Sequence, residues 1–235
     1  MTPLFLPAGD AALVVEFGSE INPEINARVS ALAESLARRP MRGVLECVPT
    51  FRSLLVHYDP CRLRHDALAR KLCRRLDSLK QASNGSRTFV IPVLYNGEDL
   101  AFVAEHAKMS REEVVRLHSV PEYLIYMLGF LPGFAYLGGL DPAIVTPRLT
   151  NPRTKIPAGA VGIGGEQTGI YPLDSPGGWQ LIGMTPVRPY DPNRAEPILY
   201  AAGDRIKFKP VSEAAFADLE RRQRNGENIV EVRAS

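Results

Sequence analysis

The sequence predicts an α+β fold in two parts: a ferredoxin-like βαββαβ domain over residues 1–84, then a β-rich, barrel-like domain over residues 85–235. Two observations carry that prediction. The first eighty or so residues alternate short apolar runs with two amphipathic helical patterns, whereas the 64 residues of Gly129–Pro192 hold 12 of the 19 glycines and 10 of the 20 prolines. Such a density prevents long helices and forces turns between short strands. Between the halves, Gln81-Ala-Ser-Asn-Gly-Ser86 is polar and turn-rich and reads as a linker.

Taken in order, Ala12–Phe17 is the first strand expected, and a helix follows near Glu24–Arg38 with Ile25, Val29, Leu32 and Leu36 on one face. Val44–Val48 and Ser53–Tyr58 read as strands around Pro49-Thr50. A second helix near Arg64–Lys80 sets Leu68, Leu72, Leu76 and Leu79 to one side, and Phe89–Tyr95 is expected to supply the fourth strand, so the domain boundary falls either before this strand, at residue 84, or after it. On that helix Arg70, Lys71, Arg74 and Arg75 lie opposite the leucines and read as a solvated face rather than a docking patch. Further on, Ser110 and Glu113 form the S-x-x-E capping box of a helix near Arg111–Leu117, with His118 at its end. Ser212 can cap a helix through Ala215–Arg222, and Ile229–Val232 reads as a last strand.

Composition excludes several classes of function. Hydrophobic residues make up 45% and charged residues 23%, which fits neither a disordered chain nor a fibrous repeat. A net charge of +2, from 28 Lys+Arg against 26 Asp+Glu, is too small for the field of a nucleic-acid or anionic-membrane binder. Cys47, Cys61 and Cys73 match no CxxC or zinc spacing and are expected to be reduced thiols, with no metal site. The start lacks a basic, uninterrupted apolar leader, and glycines and a proline break the uncharged run Tyr123–Leu140. A cytoplasmic protein with no membrane span is therefore expected.

The candidate site residues fall in the glycine- and proline-rich half. Arg148, Arg153 and Lys155 lie within eight residues, spaced by Pro147, Pro152 and Pro157, so a stiffened chain presents three cations suited to a carboxylate or phosphate. Salt bridging is the competing fate. Phe134 and Tyr136 either line an apolar pocket or fill a core, and Gln167, Tyr171, Ser175 and Trp179 bring the amide, phenol, hydroxyl and indole groups that fix a small polar substrate. His118 is a candidate for acid–base work, against the alternative of a helix-end cap. Gly159-Ala-Val-Gly-Ile-Gly-Gly165 matches no phosphate-loop pattern and is read as bulges and tight turns.

The run Leu128-Gly-Phe-Leu-Pro-Gly-Phe-Ala-Tyr-Leu-Gly-Gly-Leu140, with Pro147-Arg148, Asn151-Pro-Arg153, Ile156-Pro-Ala-Gly159, Gln167-Thr-Gly-Ile-Tyr-Pro172 and Ser175-Pro-Gly-Gly-Trp179, closely resembles the family of 5-oxoprolinase B subunits. That family is also known as allophanate hydrolase subunit 1 or the Kip-type kinase inhibitors. The resemblance implies a cyclophilin-like barrel for the second domain. It also implies work in a tight complex with a sister C subunit, and with a separate A subunit, in the ATP-dependent opening of 5-oxoproline to L-glutamate, with Mg expected beside the ATP. In that chemistry a lactam, being a poor electrophile, is activated at the expense of ATP, and Arg148, Arg153 and Lys155 are the residues expected to stabilise charge on phosphoryl oxygens. With no P-loop in this chain, part of the ATP site is expected on the partner, leaving the lone chain inactive. Ala160 and Met184 depart from the family pattern, where serine and arginine are usual. A related domain pair serves as the carboxyltransferase part of urea carboxylase. Inhibition of a sensor histidine kinase is the alternative function, and prolyl isomerisation rests on fold analogy alone.

Overall fold

The computed structural model describes residues 2–79 and 87–234, so the expected linker Gln81–Ser86 lies outside the described residues. The chain is mixed α/β, mostly sheet with few helices, and divides into two compact units, Met1–Asn84 and Gly85–Ser235.

In the first unit β1 (Leu4–Pro7), β2 (Ala12–Glu16), α1 (Pro23–Arg38), β3 (Val44–Pro49), β4 (Ser53–Tyr58) and α2 (His65–Asp77) follow one another. The sheet order is β1-β2-β4-β3 with antiparallel neighbours throughout, so β4 lies between the two strands that α1 connects. The expected split βαβ is present, but its fourth strand is β1. The Phe89 run does not join this sheet. Its residues are buried without alternation from Thr88 to Val93, the pattern of a strand covered on both faces, whereas a one-sided sheet edge needs an in–out alternation. Strand β1 escaped the sequence reading because it is four residues long and ends on a proline, which an edge strand tolerates.

Local chemistry explains the helices of this unit. Asn22 Oδ1 accepts the backbone N–H groups of Glu24 (2.7 Å) and Ile25 (3.4 Å), and Pro23 occupies the first turn, where its missing N–H costs nothing. Val29, Leu32, Leu36, Leu68 and Leu72 then join Leu13, Val15, Leu54 and Val56 in one apolar core. The helix ends are fastened together: Arg75 Nη1 donates to the carbonyls of Ser35 (3.0 Å) and Arg39 (2.8 Å) at the C-terminal end of α1.

The second unit begins with β5 (Arg87–Val93), α3 (Leu100–His106), α4 (Arg111–Ser119), β6 (Tyr123–Leu128) and β7 (Ala135–Gly138). After a single 3₁₀ turn come β8 (Arg153–Ile156), β9 (Ala160–Gly164), β10 (Gln167–Ile170), β11 (Ser175–Gly177), β12 (Gln180–Met184), β13 (Arg205–Pro210), α5 (Glu213–Arg224) and β14 (Glu231–Ala234). Eight strands form a sheet in the order β12-β9-β10-β7-β6-β13-β5-β14, and β8 pairs with β11 alone. Leu94 and Met184 exchange two backbone hydrogen bonds of 2.9 Å, which join the end of β5 to β12 and close the sheet into a barrel. Its interior is filled by Ile91, Val93, Ile125, Leu137, Ile163, Ile182 and Phe208, with Val103 of α3 and Val114 of α4 in the same cluster. At Ser110 half of the capping box forms: the hydroxyl accepts Glu113 N–H (3.1 Å), while the Glu113 carboxylate grips Arg116 instead of reaching back.

Candidate functional site

Four of the expected substrate-binding residues meet in one aromatic cluster. The Phe134 ring stands edge-on to Tyr136 (5.2 Å between centroids), Trp179 (5.5 Å) and Tyr171 (5.6 Å), and Ile156, Ala160 and Leu181 complete the packing. The glycines of β9 and β10 make this possible. A Cβ at Gly164 would overlap the Trp179 indole, so that position must be bare for the ring to lie on the strands. The run Gly159–Gly165 divides between the two roles: Gly159 and Gly165 take positive φ as turn residues, while Gly162 and Gly164 lie bare against Trp179.

At the edge of this cluster Arg148 sets its guanidinium over the Trp179 ring, 5.8 Å from the centroid, with Nη2 3.5 Å from Gln167 Oε1. No carboxylate pairs with Arg148 among the described residues. Burial pushes the Tyr171 phenol above its ordinary pKa, against a hydrogen bond from the Trp179 backbone and the nearby Arg148 and Arg153 charges. Ser175, on β11, is buried, and its Oγ has no hydrogen-bond partner among the described residues.

The other two cations do not join Arg148 as free charges. Arg153 Nη2 lies 2.8 Å from both carboxylate oxygens of Asp99, its Nε 2.9 Å from Glu98, and its Nη1 3.2 Å from the Trp179 carbonyl. Asp99 also accepts the Leu181 N–H at 2.6 Å. Arg153 therefore braces β8 and the start of β12 against the Gly97–Asp99 turn, the salt-bridging fate that competed with anion binding in the sequence. Its acidic partners lie 54 and 55 residues upstream, a pairing that local sequence does not signal. Lys155 is exposed and tied to Asp174 at 3.0 Å, whose other oxygen accepts Ala158 N–H at 2.9 Å.

His118 is likewise not placed for acid–base work. It is fully buried, stacked on Phe208 at 4.6 Å, with Nδ1 2.8 Å from Tyr95 Oη and Nε2 2.7 Å from Thr168 Oγ1. Thr168 spends its proton on the Gly162 carbonyl (3.0 Å), so it must accept Nε2–H, and Nδ1 accepts from Tyr95. Both nitrogens are committed in one neutral tautomer, and burial lowers the pKa from 6.5 to about 3.

Sequence reasoning passed over Phe130. It sits in the turn between β6 and β7 with φ of +67°, is 61% exposed, and its ring meets Phe134 edge-on at 5.5 Å. A bulky residue in the left-handed region is strained, and such strain collects at functional positions. Only the surrounding Gly/Pro turn residues could have hinted at it.

The backbone groups of β9 are committed to ladders with β10 and β12 rather than free to cradle phosphates, and no group of three His, Cys, Asp or Glu side chains among the described residues could hold a metal ion. Nor is any described helix long and apolar enough to cross a membrane.

Comparison with known proteins agrees with this architecture. Residues 3–200 match the family model described as carboxyltransferase domain, subdomain C and D. The chain is 43% identical over 222 residues to the 5-oxoprolinase B subunit of Bacillus subtilis, covering 88% of this chain and 92% of that one. Among solved structures, TTHA0988 superposes with a TM-score of 0.78 at 44% identity, over 86% of this chain but only 40% of the length of that one. Urea amidolyase of K. lactis shares the fold, with a TM-score of 0.83 at 23% identity over 99% of this chain and 16% of that one. With near-full-length identity of this order, and with the motif residues gathered around one aromatic cluster, the chain belongs to the carboxyltransferase subdomain C and D family and, within it, to the B subunits of 5-oxoprolinase.

Proposed function

We propose that this chain is the B subunit of an ATP-dependent 5-oxoprolinase, opening 5-oxoproline to L-glutamate together with the C and A subunits. The observation that carries the reading is Arg148: a cation with no carboxylate partner among the described residues, held over Trp179 at the rim of the aromatic cluster. A planar guanidinium offers two parallel donors to the substrate carboxylate or to an oxygen gaining charge as the ring opens. Gln167 orients that guanidinium. Phe134, Tyr136 and Trp179 keep water from the apolar side of the ring, and the Ser175 hydroxyl supplies a further buried polar group. Arg153 acts at one remove, by holding the Trp179 backbone in place.

ATP, with its Mg, is assigned mainly to a partner polypeptide, since the described residues include no phosphate-binding loop and no cluster of three metal-ligating side chains. TTHA0988 and the yeast urea amidolyase carry the matching segment within much longer chains, which supports a site completed by further polypeptide. The test is copurification from native cells, followed by an assay for glutamate dependent on both ATP and 5-oxoproline. The lone chain is expected to be silent and the reconstituted complex active. Arg148→Ala should lower that activity by roughly a hundredfold or more, the scale of losing one transition-state donor, with an unchanged melting temperature. Turnover by the chain alone, or full activity of the Arg148→Ala complex, overturns the reading.

A further inference from the structure

Within the second unit a cavity of about 210 Å³ separates the barrel from α5. On the barrel side it is walled by Ala158–Gly159, Pro172 and Met184–Arg188, and on the helix side by Phe216, Glu220, Gln223 and Arg224, the i, i+4, i+7, i+8 face of α5. The helix buries none of its own residues, so its inner face lines a gap rather than a packed core. The volume is below the roughly 300–1,000 Å³ of sites that take drug-sized ligands, and suits a molecule the size of an amino acid.

The chemistry of the walls is that of an anion site. Arg188 is exposed and has no ion pair or hydrogen bond among the described residues, so its guanidinium is uncommitted. Arg224 faces the same space but is held by Glu220 at 2.6 Å, which cancels the one carboxylate on the walls. Two cations against one anion leave a net positive charge centred on Arg188. Thr185 accepts the Val187 N–H through Oγ1 (3.2 Å) and keeps its proton to donate, and Gln223 adds an amide. Met184, Val187, Pro186 and Phe216 offer apolar surface to a hydrocarbon body.

We propose that this cleft binds the carboxylate of an amino-acid-sized molecule, with Arg188 as the anchor. It is separate from the Arg148 site, sharing only Met184 with the aromatic cluster. Its helical wall lies beyond residue 200, where the family match ends. The choice of probes rests on the proposed reaction; the site itself does not.

The experiment is calorimetric titration of the full chain with 5-oxoproline and with L-glutamate, using 2-pyrrolidinone, the lactam without a carboxylate, as the control. It is run in an Arg148→Gln background, so that binding over Trp179 does not contribute. At least one carboxylate should bind saturably and 2-pyrrolidinone should not. Adding Arg188→Gln should weaken binding about tenfold to a hundredfold, the range for a charged hydrogen bond, and Arg188→Lys should recover part of it. Because Arg188 is exposed, its variants should melt with the parent. Absence of binding by both carboxylates, equal binding of 2-pyrrolidinone, or unchanged affinity in Arg188→Gln would each overturn the proposal. Failure of the reaction reading shows instead as missing glutamate production in the reconstituted complex, with this titration unaffected.

Discussion

The two units bury polar groups very differently. In the first, the buried polar side chain among the described residues is Asn26, whereas the second buries Thr88, His118, Thr146, Thr168, Ser175, Gln180, Thr185 and Asp204. A helix-covered antiparallel sheet satisfies its backbone internally and needs only apolar filling. The barrel, crossed by loops and short strands, ties its irregular backbone with side-chain hydrogen bonds: Thr168 to the Gly162 carbonyl, Gln180 to Pro147, Asp204 to the N–H groups of Arg87 and Ala201. The candidate chemistry collects in the same unit. A polar, hydrogen-bonded interior holds fixed donors in place, but it makes stability sensitive to single atoms and to pH.

Four measurements sharpen or break that contrast. The largest effect is expected from Trp179→Ala, which empties the centre of the aromatic cluster and should cost the barrel about 3–5 kcal/mol in urea unfolding. The transition of the first unit should stay put, and a common shift of both transitions would mean that the units are not energetically separate. Arg153→Ala should follow at roughly 1.5–3 kcal/mol, because it leaves the mostly buried Asp99 carboxylate without its cation, while the exposed Glu98 arm adds little. A loss of turnover with no loss of stability would return Arg153 to the list of ligand-binding residues.

The third is a pH effect confined to the barrel. His118 stays neutral in the folded chain down to about pH 3, whereas the unfolded chain protonates it below 6.5. In that window the unfolded state binds more protons, so stability falls as pH falls, by about 1.4 kcal/mol per unit, and is unaffected above 6.5. Between pH 7 and pH 5 the barrel should therefore lose about 2 kcal/mol, and His118→Gln, though less stable, should show a flatter slope over that range. The smallest effect belongs to the first unit: Asn26→Ala removes the bonds to the Thr50 and Phe51 carbonyls (3.1 and 3.2 Å) and should cost about 1 kcal/mol, with no dependence on pH.

What could be read from sequence follows the range of the interactions. The helices of the first unit, the caps at Ser110 and Ser212 and the strands of the β3–β4 hairpin were readable because periodicity and capping act within a few residues. Strand β1 and the partner of the Phe89 run were not, since a strand's neighbours are chosen by register across the whole chain. The helix Leu100–His106 is only seven residues long, too short to show a full amphipathic period, and it carries no side-chain cap. Of the candidate site, the aromatic residues and Arg148 were readable from composition and motif. Asp99, Tyr95 and Thr168, the groups that engage Arg153 and His118, were not readable, because they arrive from 23 to 54 residues away.

The parallel pairing of β5 with β13, flanked by the antiparallel pairing of β5 with β14, bears on the order of events at the ribosome. Thr88 meets Arg205, and Val90 meets Glu231, so a strand made early must wait for more than a hundred further residues before either neighbour emerges. The first unit, whose strands all pair within its own stretch of chain, can finish while the rest is still being synthesised. Until then β5 presents an apolar, unpaired edge, and nascent or C-terminally truncated chains should be the species that chaperones hold and that aggregate.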